Sequence, residues 1–427
     1  DGTWGEYLIE TTEPLVVTAA DKRVAASNVA LRVGNGRIAG DLAYSPDSIS
    51  AQATLLQFPL NVLPVSETRS LQGTAEGSLR VQGTPAAPQI QMDLRAINVE
   101  AVPSIEDLPL AEVTTNVSYS DNRMQVAYTI ARIVDAPVTG TLSLFMMLSL
   151  SPFKAQVLRD QPLGGDLNFD GKLDALGALL ELDTRRIAGD LEVAYRLDGT
   201  VAAPQLTGEA SVSNGEFEDV VNGVTVQNIG AILRGDGLQL ELVDVRATDA
   251  SNGTLSATGR INLSPDEHYP LEASLTLENF AVVRRDDITA SASGTVSIAG
   301  TAEQSKVGGD LTVGPAEIYL REPTPRAVVG LDVTEINVPG EPEVTEEPQP
   351  QAVSAADRPS ALQNVALQVA LSVPGHVNVR GYGIESEWQG DLDITGHARE
   401  PKVVGQIRLV RGRMTFLGRT FDLTEGT

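Results

Sequence analysis

LSATGRINLSPDEHYPLEASLTL, from Leu255 to Leu277, is the stretch on which the fold turns. Leu255, Ala257, Ile261 and Leu263 stand two or four positions apart. After a Pro-containing break, Leu271, Ala273, Leu275 and Leu277 stand two apart. The residues between them are polar: Ser256, Thr258, Arg260 and Asn262, then Glu272, Ser274 and Thr276. A period of two sends alternate side chains to opposite faces of an extended chain, whereas a helix repeats at about 3.6. Both runs therefore read as strands with one apolar and one wet face. Val365, Leu367, Val369, Leu371 and Val373 form a third run. Turn chemistry separates such runs at Asn35-Gly36, Asp198-Gly199, Asn214-Gly215 and Asp236-Gly237, dipeptides suited to tight reversals. One helical pattern breaks the alternation, LDALGALLEL at Leu173 to Leu182, with Leu173, Leu176 and Leu180 on one side.

Composition narrows the class. Lys and Arg number 31 against 57 Asp and Glu, a formal charge of −26, which repels phosphate backbones and argues against nucleic acid as a partner. It equally disfavours flat adsorption on an anionic membrane, and reads first as a solvated exterior that keeps a long molecule soluble. There is no Cys, so disulfides, thiolate metal sites and cysteine nucleophiles drop out together. Apolar residues make up 42 % of the 427, yet aromatics only 4 %. The apolar surface is thus Leu, Val, Ile and Ala spread thinly, not the ring-rich core of a compact globule. The chain opens on Asp1 without an initiator Met, stops just after an apparent strand and shows no signal or anchor segment, so it reads as a fragment.

The chain also repeats itself. G-x-[LV]-x-[VI]-x-G occurs as GSLRVQG (Gly77 to Gly83), GTVSIAG (Gly294 to Gly300) and GDLDITG (Gly390 to Gly396), with a longer copy, GDLEVAYRLDG, from Gly189 to Gly199. Each is followed by roughly G-T-x-x-x-P-x-[VLI]-x-G: GTPAAPQIQM from Gly83, GTVAAPQLTG from Gly199, GTAEQSKVGG from Gly300 and GHAREPKVVG from Gly396. Units ending near 83, 199, 300 and 396 are too long for common solenoids but suit several strands each. The expected motif is two alternating strands joined by a loop that Pro88, Pro204 and Pro401 stiffen. Residues 339–360, PGEPEVTEEPQPQAVSAADRPS, lack alternation and are Pro- and Glu-rich, which predicts a flexible insert.

Catalytic and metal signals are weak. Asp166, Asn168, Asp170, Gly171 and Asp174 fall on calcium-loop positions, but the twelfth position is Gly177 instead of Glu. Leu167 and Phe169 fit an alternating strand better. GNGRIAG (Gly34 to Gly40) has the wrong glycine spacing for a dinucleotide loop, and His268, His376 and His397 are scattered. The most apolar window, LSLFMMLSL (Leu142 to Leu150), is far short of the ~20 residues of a membrane-spanning helix. The chain reads as no enzyme, with neither metal nor cofactor.

The segment from Leu371 to Leu423, LSVPGHVNVRGYGIESEWQGDLDITGHAREPKVVGQIRLVRGRMTFLGRTFDL, resembles the C-terminal region of the TamB family. The resemblance rests on Val379-Arg380-Gly381, Gly381 and Gly383, Gly390-Asp391-Leu392, the Gly396-to-Gly405 pattern and RGRMTFLGRTFDL from Arg411. It is strongest after Leu362. LQFPLNVL (Leu56 to Leu63) and LEVAYRLDGTVAAPQLTG carry the same flavour upstream. It implies a periplasmic, AsmA-like bridge, anchored in the inner membrane by an N-terminal segment not present here. It also implies a meeting with the outer-membrane barrel protein TamA through a C-terminal segment missing here, and a part in phospholipid transport and outer-membrane biogenesis.

Together these readings predict an all-β chain. They give an elongated, open, twisted, repeating β-sheet groove with an apolar interior, continuous over 1–427, with one short helix near 173–182. At ~4.8 Å per strand and about 39 strands the stack would run roughly 190 Å, and five inner positions at ~3.3 Å make a face about 17 Å across. That width cups an acyl chain. The lining expected for phospholipid is Leu79, Val81, Leu191, Val193, Leu255, Ile261, Leu275, Val296, Ile298, Leu392, Ile394, Ile407 and Leu409. Two alternatives stand beside the conduit. One is a scaffold or chaperone for outer-membrane protein (autotransporter) assembly with TamA. The other is a tandem of β-sandwiches, whose strands alternate identically.

Overall fold

The computed structural model describes residues 2–4, 7–62, 70–102, 110–174, 185–264, 267–301, 304–321 and 365–426. Strands take up 81 % of it, as the period-two pattern requires. It divides into two compact units, Asp1–Val283 and Arg284–Thr427.

The first unit opens with β1 (Gly2–Trp4), β2 (Tyr7–Thr11), β3 (Val16–Ala20), β4 (Arg23–Val33), β5 (Gly36–Ser45) and β6 (Ser48–Pro59). A 3₁₀ turn, Leu60–Val62, follows. Then come β7 (Ser70–Thr84), β8 (Ala87–Val102), β9 (Ala111–Ser120), β10 (Arg123–Ala131), β11 (Val138–Leu150), β12 (Phe153–Val157) and β13 (Gly164–Lys172). The rest are β14 (Arg185–Gly199), β15 (Pro204–Asp219), β16 (Val224–Gly237), β17 (Gln239–Asp249), β18 (Thr254–Asn262) and β19 (Leu271–Arg284). From β4 to β11 and from β13 to β19 each strand pairs antiparallel with the next, and β11 pairs with both β12 and β13. The two decisive runs are β18 and β19, with Leu255 opposite Leu277, Ala257 opposite Leu275 and Ile261 opposite Leu271.

The second unit holds β20 (Ile288–Gly300), β21 (Ser305–Tyr319), β22 (Val365–Gly381), β23 (Ile384–His397), β24 (Glu400–Phe416) and β25 (Arg419–Leu423). All neighbours are antiparallel except β21 and β22, which run parallel from Ser305 opposite Val365 to Tyr319 opposite Arg380. A parallel pair needs a long crossover, since the chain must return to the starting end of its partner. The Pro- and Glu-rich stretch at 339–360 falls in that crossover. It lies outside the described residues, as does most of the helix expected at 173–182. Within neither unit do the described strands close into a barrel.

Each repeat is a β-hairpin. The glycine shared by its two halves sits at the turn with positive φ: Gly83 (103°), Gly199 (87°), Gly300 (146°) and Gly396 (95°). Pro88, Pro204 and Pro401 do not lie in the loop as expected. They occupy the first rungs of the returning strand, directly opposite Gly83, Gly199 and Gly396. A Cβ on those glycines would meet the carbonyl of the residue before the proline, Ala87, Ala203 and Glu400 respectively, and Pro88 is fully buried. The turn dipeptides divide as well. Gly34-Asn35 and Gly237-Leu238 form two-residue turns, one position from where the sequence put them, while Asn214-Gly215 is a bulge inside β15.

Bulges recur at similar depth from strand to strand. Register slips at Asn28, Asn98, Asn214 and Asn228, all with φ between 50° and 57°, a conformation Asn tolerates through its short side chain. Each bulge adds one residue and bends its strand. It also resets the alternation, so Ala96 and Val99 in β8, an odd interval apart, still face the same way.

Candidate functional site

Strand pairing carries one face across each unit. In unit 1, Leu79, Met92, Val117, Val126 and Leu142 form one cross-strand row, and Val81, Ile90 and Tyr119 the next. In unit 2, Val296, Gly309, Val369, Ile394 and Val403 form a row, beside Gly294, Leu311, Leu371, Leu392 and Gly405. The thirteen expected lining residues fall on these faces without exception. Leu79, Val81, Leu191, Val193, Leu255, Ile261 and Leu275 share the apolar face of unit 1. Val296, Ile298, Leu392, Ile394, Ile407 and Leu409 share that of unit 2.

The face is only half-dry. Val81 is 7 % exposed, while Ile261 and Ile407 are 39 % and 40 % exposed, and most of the others are half-buried. Among the described residues, buried side chains gather in small groups such as Val33, Phe58 and Val62, packed by Tyr7, Ile9, Ile38 and Leu55. A single layer of sheet with aliphatic rows facing partial solvent is not a finished core, which would be close-packed.

Glycines explain how that face is shaped, a feature the sequence reading treated as turn chemistry alone. Gly40, Gly77, Gly208, Gly294, Gly390 and Gly405 all lie on the apolar face. A Cβ at any of them would collide with the carbonyl of the facing strand, Gln52, Asp93, Ala194, Asp310, Gln406 and Asp391 respectively. Side chains crowd like this on the inner side of a sharp bend, where glycine marks a crease in the sheet. The first glycine of GSLRVQG, GTVSIAG and GDLDITG is such a crease residue, and the last is the turn.

The opposite face is mainly polar, with apolar residues such as Ala127, Ala194 and Val404 set among the polar ones. On unit 1 it holds a cleft of about 1070 Å³ lined by Gln91, Asp93, Asn116, Arg123, Asp166 and Arg196 among others. Its groups satisfy one another: Asn116 donates to Asp93, Thr141 and Asn168 donate to Asp166, and Arg123 to Ser143. On unit 2 the polar face carries a ladder of alternating charge. Arg411 Nε donates to Glu387 at 2.6 Å and Arg413 Nη2 to Glu385 at 2.7 Å. Arg380 Nη1 stands 3.5 Å from Glu317. Among the described residues no cluster of His, Asp and Glu could hold a metal ion, and no helix is long and apolar enough to cross a membrane, which says nothing of strands.

The ladder makes stability depend on pH. Arg411 first, then the backbone N–H of His376, hold Glu387 below the usual carboxylate range, and the backbone and side-chain amides of Asn222 do the same for Asp219. A depressed carboxylate stabilises the fold above its unfolded pKa and loses that contribution as pH falls through its folded value. Glu387→Gln is therefore expected to lower the denaturant midpoint at neutral pH. The gap to the unsubstituted chain should shrink as pH falls below about 4. A gap independent of pH in denaturant titrations would contradict the assignment.

No solved structure matches the chain significantly. The family model for the TamB C-terminal domain matches residues 244–427, from within β17 to the last residue. That span covers both decisive runs, the parallel pair, the crease glycines of unit 2 and the charge ladder. It also carries the likeness seen after Leu362 back to residue 244. The family is one of envelope proteins of the translocation and assembly module, associated with the partner TamA. Over residues 244–427 the chain is thus similar to the TamB family, through that family's C-terminal domain.

Proposed function

We propose that the apolar face of the sheet is a periplasmic conduit for phospholipid acyl chains, bridging inner and outer membranes and serving outer-membrane biogenesis. The observation that carries this reading is the set of aliphatic cross-strand rows, repeated in both units, on a face left half-exposed. Transferring a methylene from water to an apolar surface is worth about 0.8 kcal/mol, so a tail laid along such rows is held strongly yet without a unique pose. Headgroups stay in water, because stripping a charged or zwitterionic group of hydration costs several kcal/mol. The conduit works passively, with no cofactor and no bond made or broken. In this reading the protein is held at the inner membrane and works with TamA.

A photo-crosslinking residue at Ile298 or Leu392 in living cells tests the reading directly. Both are on the apolar face, while Ser297 and Asp393 point the other way. The expected result is phospholipid captured at Ile298 and Leu392, with none at Ser297 or Asp393. Protein adducts at the inward sites would favour the assembly scaffold. An absence of lipid at every inward site would end the conduit reading.

A further inference from the structure

The most apolar window of the chain does not end inside the sheet. β11 pairs with β10 and β13 through its first half, then leaves them, and from Met146 to Leu150 pairs with β12 alone. The resulting ribbon is tied down on three sides. Leu150 N–H donates to Pro85 O at 2.7 Å, and the hydroxyls of Tyr44 and Ser151 meet at 3.1 Å. Tyr119 Oη donates to Met146 O and accepts from Leu148 N–H.

Among the described residues nothing pairs with the outer edge of β12. All five of its residues are exposed, Phe153 at 73 %. An edge of unpaired N–H and C=O groups is a template for another strand, and proteins normally blunt it with charge, Pro or a covering element. Here the edge offers Phe153, Ala155 and Val157 on one side and Lys154 and Gln156 on the other, with one charge and, among the described residues, no strand paired over it. It is also an internal edge, flanked by described chain on both sides, and its tethers hold it ready for a partner.

We infer that the outer edge of β12 docks an extended segment of another polypeptide by strand addition. The segment would alternate apolar and polar residues, with an acidic side chain opposite Lys154. Main-chain hydrogen bonds would supply the binding, and the exposed Phe153 and Val157 the preference for apolar residues at alternate positions. The inference goes beyond lipid carriage and holds whether or not the apolar face carries tails.

The test uses a labelled ten-residue peptide of alternating valine and threonine with one central glutamate, and a benzophenone residue at Gln156 of the chain. The control site is Ser50, whose strand is paired on both edges. Capture is expected at Gln156 and not at Ser50. It should weaken about ten-fold when alternate peptide amides are N-methylated, and similarly with Phe153→Glu. The N-methylated peptide leaves the protein untouched, so the test survives a variant that misfolds. Capture indifferent to N-methylation, no capture, or adducts only to lipid or to a second copy of this chain would overturn the inference.

Discussion

Ile298→Asp in the full-length protein is expected to abolish function in a complementation assay, while Ser297→Asp leaves it nearly intact. The two positions are adjacent in β20 but face opposite ways, Ile298 opposite Val307 and Ser297 opposite Gly308. In the proposed conduit every tail must pass each cross-section, so one charge on the apolar face would block the whole path. A partly exposed carboxylate can stay hydrated there without unfolding the strand, and its cost falls on the cargo, which would have to pass an ion in an apolar lane. Val193→Asp, on the apolar face of unit 1, should act in the same way. Equal effects from Ile298→Asp and Ser297→Asp, with both proteins present at normal levels, would remove the main support for a conduit.

The second large effect concerns the creases. Gly308 and Gly309 are neighbours in β21, but a Cβ on Gly308 finds ordinary contacts, 3.5 Å from Gln368 O and 3.6 Å from Ser297 Oγ. On Gly309 it would drive into Thr295 O and lie 3.0 Å from Val296 Cα. Gly309→Ala and Gly390→Ala are therefore expected to destabilise unit 2 by about 1–3 kcal/mol each, as overpacking does. Gly308→Ala should be neutral or slightly stabilising, since alanine loses less entropy than glycine on folding into a strand. Thermal melts of the three variants decide it. If Gly308→Ala and Gly309→Ala melt alike, close approach on the apolar face is not what fixes glycine there.

By itself the sequence determined the secondary structure and the face. Period two over Leu255–Leu277 and Val365–Val373 depends on nothing beyond neighbours along the chain, and the β18–β19 and β22–β23 pairings follow it rung by rung. The same locality placed all thirteen residues of the expected lining on one face, the apolar one. Tertiary structure alone decided what depends on distant chain. Asn214-Gly215 and Asp236-Gly237 have similar local chemistry, because a turn and a bulge both need a left-handed residue. Only the length of the partner strand makes the first a bulge and the second part of a turn. The parallel pairing of β21 with β22 could not be read from alternation, which is the same in parallel and antiparallel strands. Nor could the creases be read, since a strand glycine shows its reason only when the carbonyl it makes room for, such as Asp310 O against Gly294, is brought across from the next strand.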